Sequence, residues 1–127
     1  MGAALTTAIH QLVTNDPHVT SVELHGKLIG DDGVIRLASA LATNTTLVSL
    51  DLSNNDIGPV GLMKLVEALE KNITLRSLNL RKNKTFVEGV RGIAHLLSYN
   101  STLTCLNLGK TRLGNEKKRG RSFDTKL

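Results

Sequence analysis

The sequence repeats itself every 28 residues, and this repeat limits the possible folds more than any other feature of the chain. In each repeat, a short segment carries apolar residues at its first, fourth and sixth positions. The three apolar columns are Val19, Leu47, Leu75 and Leu103; Val22, Leu50, Leu78 and Leu106; and Leu24, Leu52, Leu80 and Leu108. This alternation is typical of a strand with one buried face, so the sequence predicts stacked units that each begin with a strand.

Between the strand segments, the apolar spacing becomes that of one helix face. The residues on these faces are Val34, Leu37, Ala38 and Leu41; Leu62, Leu65, Val66 and Leu69; and Val90, Ile93, Ala94 and Leu97. One strand, one turn and one helix in each unit predict an α/β fold. We expect a right-handed solenoid of about four repeats, with parallel strands on one side and helices on the other.

Polar residues mark the predicted ends of the helices. Asn44, Asn72 and Asn100 follow the helical segments at the 28-residue step, and we expect them to adopt the left-handed conformation that ends a helix. Each begins an N-x-Thr sequence, which the helix-ending turn explains without glycosylation. At the other end of a helix, we expect Asp31 or Asp32 to act as an N-cap.

The segment LVSLDLSNNDIG at 47–58 resembles the leucine-rich repeat, and the 28-residue period with a true helix resembles its ribonuclease-inhibitor-like subclass. The resemblance covers roughly 19–114 and implies a concave sheet with helices on the convex side. It also implies that Asn55 and Asn83 form a ladder of hydrogen bonds to neighbouring turns. Lys27 and Thr111 replace asparagine in the first and last repeats, so the ladder is in doubt at both ends.

The charge divides the chain differently from the repeats. The 127 residues carry a net charge of +5, yet residues 1–108 contain as many acidic as basic residues. We predict an N-terminal helix or incomplete capping repeat at 1–18, leucine-rich repeats at 19–114 and a basic, flexible tail at 115–127. The tail lacks the apolar face that the helix of the fourth repeat would need, which leaves an open end through which the chain could associate with itself.

We expect the protein in the cytoplasm. The KKRGR sequence of the tail resembles a nuclear-localisation signal, which leaves a nuclear location open as an alternative.

Composition argues against several classes of function. One cysteine excludes an internal disulfide and a multi-cysteine metal site, and 2% aromatic residues give no stacking platform for single-stranded nucleic acid. No apolar run is long enough to span a bilayer, and no phosphate-binding GxxxxGK[ST] motif occurs. His25 and Cys105 lie three strands apart, on the order of 14 Å, which is too far for a catalytic pair. We therefore expect no enzyme, no cofactor, no metal, no small-molecule substrate and no membrane contact.

The residues between the buried leucines and in the loops after the strands form the predicted protein-binding surface. This surface changes from acidic in the first two repeats to basic in the last two, an arrangement that would orient a charged protein partner. Exposed strand positions are polar by default, so chance explains the same order equally well. The predicted residues are Glu23, His25, Asp51, Ser53, Asn79, Arg81, Lys82, Asn107, Lys110 and Arg112.

A non-enzymatic protein-interaction module with an unidentified protein partner is the leading functional hypothesis. Residues 15–26 and 57–80 also resemble the C-terminal repeat domain of the tropomodulin family, which caps actin filaments. An alternative is a fragment of a Ran-type GTPase-activating protein, because the turn from Asn54 to Pro59 resembles one that carries an activating asparagine in that family. A third functional hypothesis is a fragment of the repeat domain of an innate-immune receptor.

Overall fold

A computed structural model describes residues 2–113 of the chain, which alternate between helices and short strands. The predicted tail at 115–127 lies outside the described residues. The helices are α1 (Ala3–Val13), α2 (Gly30–Thr43), α3 (Pro59–Lys71) and α4 (Phe86–Leu97). The strands are β1 (Ser21–Glu23), β2 (Ser49–Asp51), β3 (Ser77–Asn79) and β4 (Cys105–Asn107).

The strands form one parallel sheet in chain order, β1-β2-β3-β4. Its register follows the sequence repeat directly, since Val22 lies beside Leu50, Leu50 beside Leu78, and Leu78 beside Leu106. These central strand residues are buried, while their neighbours in each strand point to the other face of the sheet. The predicted α/β leucine-rich-repeat solenoid is therefore confirmed.

The core lies between the sheet and the helices and consists mainly of leucine. Leu52 and Leu80 after the strands are fully buried, as are Leu37 and Leu65 in the helices. Each such side chain contributes about 2 kcal/mol when it leaves water. Because every repeat adds the same residues to the same layers, the core continues without a break from one repeat to the next.

The two outer helices are less regularly buried than α2 and α3, and α4 buries a different face from the one that the sequence predicts. In α1, Leu5, Ala8 and Leu12 are buried but Val13 is 64% exposed. In α4, the buried residues are Gly89, Ile93 and Leu96, whereas Val90 and Leu97 are half-buried and Ala94 is exposed. Among the described helices, α2 and α3 pack between two neighbours, whereas α4 packs against α3 alone.

Asn55 and Asn83 form the predicted ladder, and each side chain bonds backbone groups in two turns. Oδ1 of Asn83 accepts hydrogen bonds from the N–H groups of Asn55 at 3.1 Å and Ile57 at 3.0 Å. Its Nδ2 donates to the carbonyls of Leu52 at 3.0 Å and Leu80 at 2.9 Å. Oδ1 of Asn55 accepts from Lys27 N–H at 2.8 Å, so the ladder reaches the first repeat even though lysine stands in the ladder position there.

In the last repeat, threonine takes over the ladder position. Thr111 is fully buried, and its hydroxyl donates to the Asn83 carbonyl at 3.0 Å. It also lies 2.7 Å from the hydroxyl of Thr85, which is equally buried. A hydroxyl cannot supply the two donors of an asparagine amide, so the paired threonines satisfy this end of the ladder together.

The asparagines at the helix ends form a second ladder instead of left-handed caps. Asn44 and Asn72 are extended, with φ of −72° and −79°, so the prediction of a left-handed conformation is wrong. Nδ2 of Asn72 donates to the carbonyls of Leu41 at 2.8 Å and Asn44 at 3.0 Å in the preceding repeat. Its Oδ1 accepts from the Leu75 N–H at 2.8 Å. The 28-residue asparagine column therefore joins consecutive repeats on the side opposite the first ladder.

Candidate protein-binding surface

The open face of the sheet, by which we mean the face opposite the helices, aligns polar side chains in columns. Glu23 lies beside Asp51, Asp51 beside Asn79, and Asn79 beside Asn107. The column thus changes from two carboxylates on β1 and β2 to two amides on β3 and β4. Two carboxylates side by side on one face of a sheet repel each other, so this end of the surface favours a cationic group from outside.

Three residues of this column also shape the turns that follow the strands. In each case Oδ1 accepts a hydrogen bond from the N–H two residues later, as in an Asx turn. The pairs are Asp51 with Ser53 at 2.9 Å, Asn79 with Arg81 at 3.0 Å, and Asn107 with Gly109 at 2.8 Å. Aspartate and asparagine both serve here because only an oxygen acceptor is needed, so the charge of the column varies without a change in the turn.

His25, Ser53 and Asp51 form a hydrogen-bonded chain across β1 and β2. The Ser53 hydroxyl donates to Oδ1 of Asp51 at 2.6 Å, and Nδ1 of His25 lies 2.7 Å from the same hydroxyl. Ser53 is only 4% exposed, so its side chain adds little to the accessible surface, and its part in binding stays a prediction. The Ser53 hydroxyl lies between His25 and Asp51, and its two hydrogen bonds hold the exposed His25 ring beside the next repeat.

The basic residues gather on the loops after β3 and β4. Arg81 is half-buried at the end of β3, and Lys82, Lys110 and Arg112 are exposed. The last three, but not Arg81, border a shallow cavity of about 280 Å³, the basic cleft, which is lined by Asn54, Asp56, Lys82, Asn83, Lys84, Lys110 and Arg112. The predicted site omitted Lys84, whose Nζ lies 2.8 Å from Oδ1 of Asp56. The 28-residue spacing of these two residues is the signal that could have paired them.

Residues 2–113 allow three further observations on the classes of function that the sequence raised. Within that range, no group of three or more histidine, cysteine or acidic side chains is placed to hold a metal ion. None of the described helices is long and apolar enough to cross a membrane. Asn55, in the turn that resembles the Ran-type activating loop, is 1% exposed and bonded within the ladder, whereas its neighbour Asn54 is exposed.

Comparison with known proteins identifies the family. The profile described as Leucine Rich repeat matches residues 43–66, 71–94 and 99–116, which together make up more than half of the chain. The chain therefore belongs to the leucine-rich repeat proteins. A search of curated proteins finds no significant match.

Two solved structures share this arrangement of repeats. Leiomodin-1 Actin-Binding Site 2 is 24% identical, with a TM-score of 0.82 over 94% of this chain and 71% of that one. The tropomodulin C-terminal domain of Caenorhabditis elegans is 18% identical, with a TM-score of 0.77 over 91% of this chain and 71% of that one. The resemblance to the tropomodulin repeat domain is thus confirmed for the fold.

Proposed function

We propose that this chain is a non-enzymatic protein-interaction module that binds its partner through the open face of the sheet and the loops after the strands. The observation that carries this proposal is the order of charges along the solenoid. Glu23 and Asp51 lie at one end of the surface, and Arg81, Lys110 and Arg112 lie toward the other. A partner with the opposite order would be steered to this surface and held in one orientation.

The hydrogen bonds of the repeats support a scaffold of this kind. Every buried side-chain nitrogen and oxygen atom within residues 2–113 has a hydrogen-bond partner. The hydrogen bonds of the two asparagine ladders join neighbouring turns, and this network would hold the exposed loops in place. A surface held by such a scaffold would lose little conformational entropy when a partner binds, which supports the proposal.

A charge swap on the open face tests the proposal without changing the net charge. Glu23→Lys with Arg81→Glu exchanges one acidic and one basic charge between the two ends of the open face and leaves every residue that lines the basic cleft unchanged. Glu67→Lys with Lys71→Glu makes the same exchange on α3, where both residues are exposed, and serves as the matched control. Each purified protein is used to capture partners from a cell extract, and the captured proteins are compared by mass spectrometry.

We expect the open-face swap to weaken capture of the specific partner by about tenfold, because both charged contacts become repulsive. The α3 control retains capture, and circular dichroism shows the same fold for all three proteins. Equal capture by the native protein and the open-face variant would contradict the proposal.

Actin is the first partner to test, because the leiomodin-1 structure with the same fold is named as an actin-binding site. In this more specific proposal, the native chain sediments with filamentous actin or binds monomeric actin, and the open-face swap reduces that binding. If the native chain binds neither form, actin is not the partner, while the proposal of a protein-interaction module is judged by the capture experiment alone.

We also propose a role for each end of the chain and a cellular compartment for the protein. Residues 1–18 would close the N-terminal end of the solenoid, consistent with the packing of α1 against α2. Residues 115–127 would form a basic tail, and the C-terminal end would be the place for self-association. The cytoplasm is the proposed compartment, and analytical ultracentrifugation at several concentrations tests the self-association.

A further inference from the structure

The basic cleft brings four cationic side chains together on two neighbouring loops. Lys82 and Lys84 lie on the loop after β3, and Lys110 and Arg112 lie at the corresponding positions after β4. Adjacent strands of a sheet lie about 4.8 Å apart, so corresponding side chains on these loops are close neighbours. One carboxylate, that of Asp56, lines the cleft, and it pairs with Lys84 at 2.8 Å. The cleft therefore holds more positive than negative charge.

The backbone places two of these lysines in a conformation that lysine seldom adopts. Lys82 and Lys110 have φ of 59° and 55°, in the left-handed region. The same position is Gly26 in the first repeat and Asn54 in the second, residue types that adopt this conformation more readily. Strained residues of this kind often mark functional sites, so the lysines call for an explanation beyond the turn itself.

Backbone hydrogen bonds hold the loops of the cleft together. The Lys82 N–H donates to the Gly109 carbonyl at 2.9 Å, and the Arg112 N–H donates to the Asn83 carbonyl at 3.0 Å. The Arg112 carbonyl in turn accepts from the Phe86 N–H at 2.7 Å. The cationic residues are thus presented from fixed turns, which lowers the entropy lost when an anion binds.

We propose that the basic cleft binds a short acidic segment of a protein partner, with two or more neighbouring Asp or Glu carboxylates. This inference rests on the proposed function and names the chemistry of the partner. Carboxylates would relieve the repulsion among the four cations, and the exposed Asn54 at the edge of the cleft can add an amide donor.

The surroundings of the cleft favour a short acidic peptide over nucleic acid. Glu23 and Asp51 lie on the first two strands of the same surface and would repel a long polyanion that ran along the solenoid. The cavity lining includes no aromatic residue, so bases would have nothing there to stack on. A short segment can occupy the cleft and leave the acidic end of the surface free for cationic groups.

Binding of a fluorescein-labelled hexaglutamate peptide to the full chain at low ionic strength tests this inference. In ¹⁵N-labelled protein, we expect the amide resonances of 82–84 and 110–112 to shift. Lys110→Glu with Arg112→Glu should weaken binding, measured by fluorescence anisotropy, by about tenfold. Lys82→Gln with Lys84→Gln, a milder pair, should weaken it in the same direction, and circular dichroism checks that both variants fold.

Lys71→Glu with Arg91→Glu is the matched control, because it changes the net charge equally on exposed positions of α3 and α4. We expect it to alter the affinity by less than about twofold. The inference is overturned if the native chain does not bind hexaglutamate, if the control loses as much affinity as the cleft variant, or if the shifts fall outside the cleft. Tighter binding of a six-nucleotide thymidine oligomer through the same residues would also overturn it, in favour of nucleic acid.

The test separates this inference from the proposed function. The open-face swap of Glu23 and Arg81 leaves all the residues that line the cleft in place. If that swap abolishes partner capture but hexaglutamate does not bind, the interaction module stands and the acidic-segment inference fails. If hexaglutamate binds in the cleft but the open-face swap has no effect on partner capture, the cleft stands and the proposed binding face fails.

Discussion

Oδ1 of Asp31 accepts a hydrogen bond from the Gly58 N–H at 2.7 Å, so α2 caps the helix of the following repeat. The sequence predicts that Asp31 or Asp32 caps its own helix, but α2 has no side-chain cap, and that prediction is wrong. A carboxylate near the start of a helix stabilises it through the helix dipole and the unpaired N–H groups there. Parallel stacking brings the start of α3 within reach of Asp31, a contact between repeats that local sequence rules do not contain.

The close packing of α2 on α3 around Asp31 also leaves no room for a side chain at position 61. A Cβ atom on Gly61 would lie 2.5 Å from Oδ1 of Asp31 and 2.6 Å from Cγ1 of Val34. We expect Gly61→Ala to lower the free energy of unfolding by about 2 kcal/mol, because α2 and α3 would have to move apart. Urea denaturation measures this change.

Gly92 is the matched control for that substitution. It also lies inside a helix, but nothing lies within 4 Å of the Cβ that alanine would add. Gly92→Ala should therefore raise the free energy of unfolding by about 0.7 kcal/mol through helix propensity alone. Equal effects of the two substitutions would contradict the close packing of α2 on α3.

The asparagine ladder predicts a large loss of stability from one buried amide. Asn83→Ala removes the acceptor for the Asn55 and Ile57 N–H groups and the donor to the Leu52 carbonyl. Leaving these buried groups unpaired should cost about 3 kcal/mol. Chemical denaturation measures the loss, with the exposed Lys71→Ala as a control expected to change stability by less than about 0.5 kcal/mol. A loss no larger than that of the control would contradict the ladder.

The chain has a single tyrosine, so ultraviolet titration reports Tyr99 alone. Its hydroxyl donates a hydrogen bond to the Glu70 carboxylate, which raises the pKa of Tyr99 above the ordinary tyrosine value. Stability from this contact is present while the phenol is neutral and is lost as the pH rises through the raised pKa. Glu70→Gln should lower the pKa of Tyr99 toward the ordinary value, and an unchanged titration curve would show that the contact is absent in solution.

The chain from Asp51 through Ser53 to His25 predicts the tautomer of one histidine. The Ser53 hydroxyl gives its proton to Asp51, so its oxygen accepts from His25, and neutral His25 must carry its proton on Nδ1. In the neutral imidazole, the ¹⁵N chemical shifts should show a protonated Nδ1 and an unprotonated Nε2. Ser53→Ala should remove this preference, and the same shifts in both proteins would contradict the assigned direction of the bond.

The repeated elements of the fold could be predicted from sequence because each is reinforced by the same residues in every unit. The leucine columns at 50 and 78 set the strands, and Asn55 and Asn83 occupy equivalent turns. The second ladder could not be predicted in the same way. The spacing of Asn44 and Asn72 was visible, but only the stacked structure places one asparagine beside the preceding turn rather than in a local cap.

The binding surface was predicted less completely, because polarity alone does not distinguish exposed groups from bonded ones. Ser53 fits the pattern of an exposed strand residue, yet its hydroxyl is enclosed between Asp51 and His25. Lys84 also lines the basic cleft, and the predicted set omitted it although it included Arg112 at the equivalent position of the next repeat. The spacing relates Lys84 to Asp56 in the sequence, but the contact between their side chains depends on the two loops lying side by side.

Hydrogen–deuterium exchange of the chain with and without its captured partner tests the central claim most directly. We predict that binding protects the amides of β1 to β4 and of the loops around Asn54, Lys82 and Lys110, while exchange in the exposed turns of α2 and α3 stays unchanged. Protection confined to the helices, with unchanged exchange in the loops after the strands, would contradict the claim that the open face and its loops bind the partner.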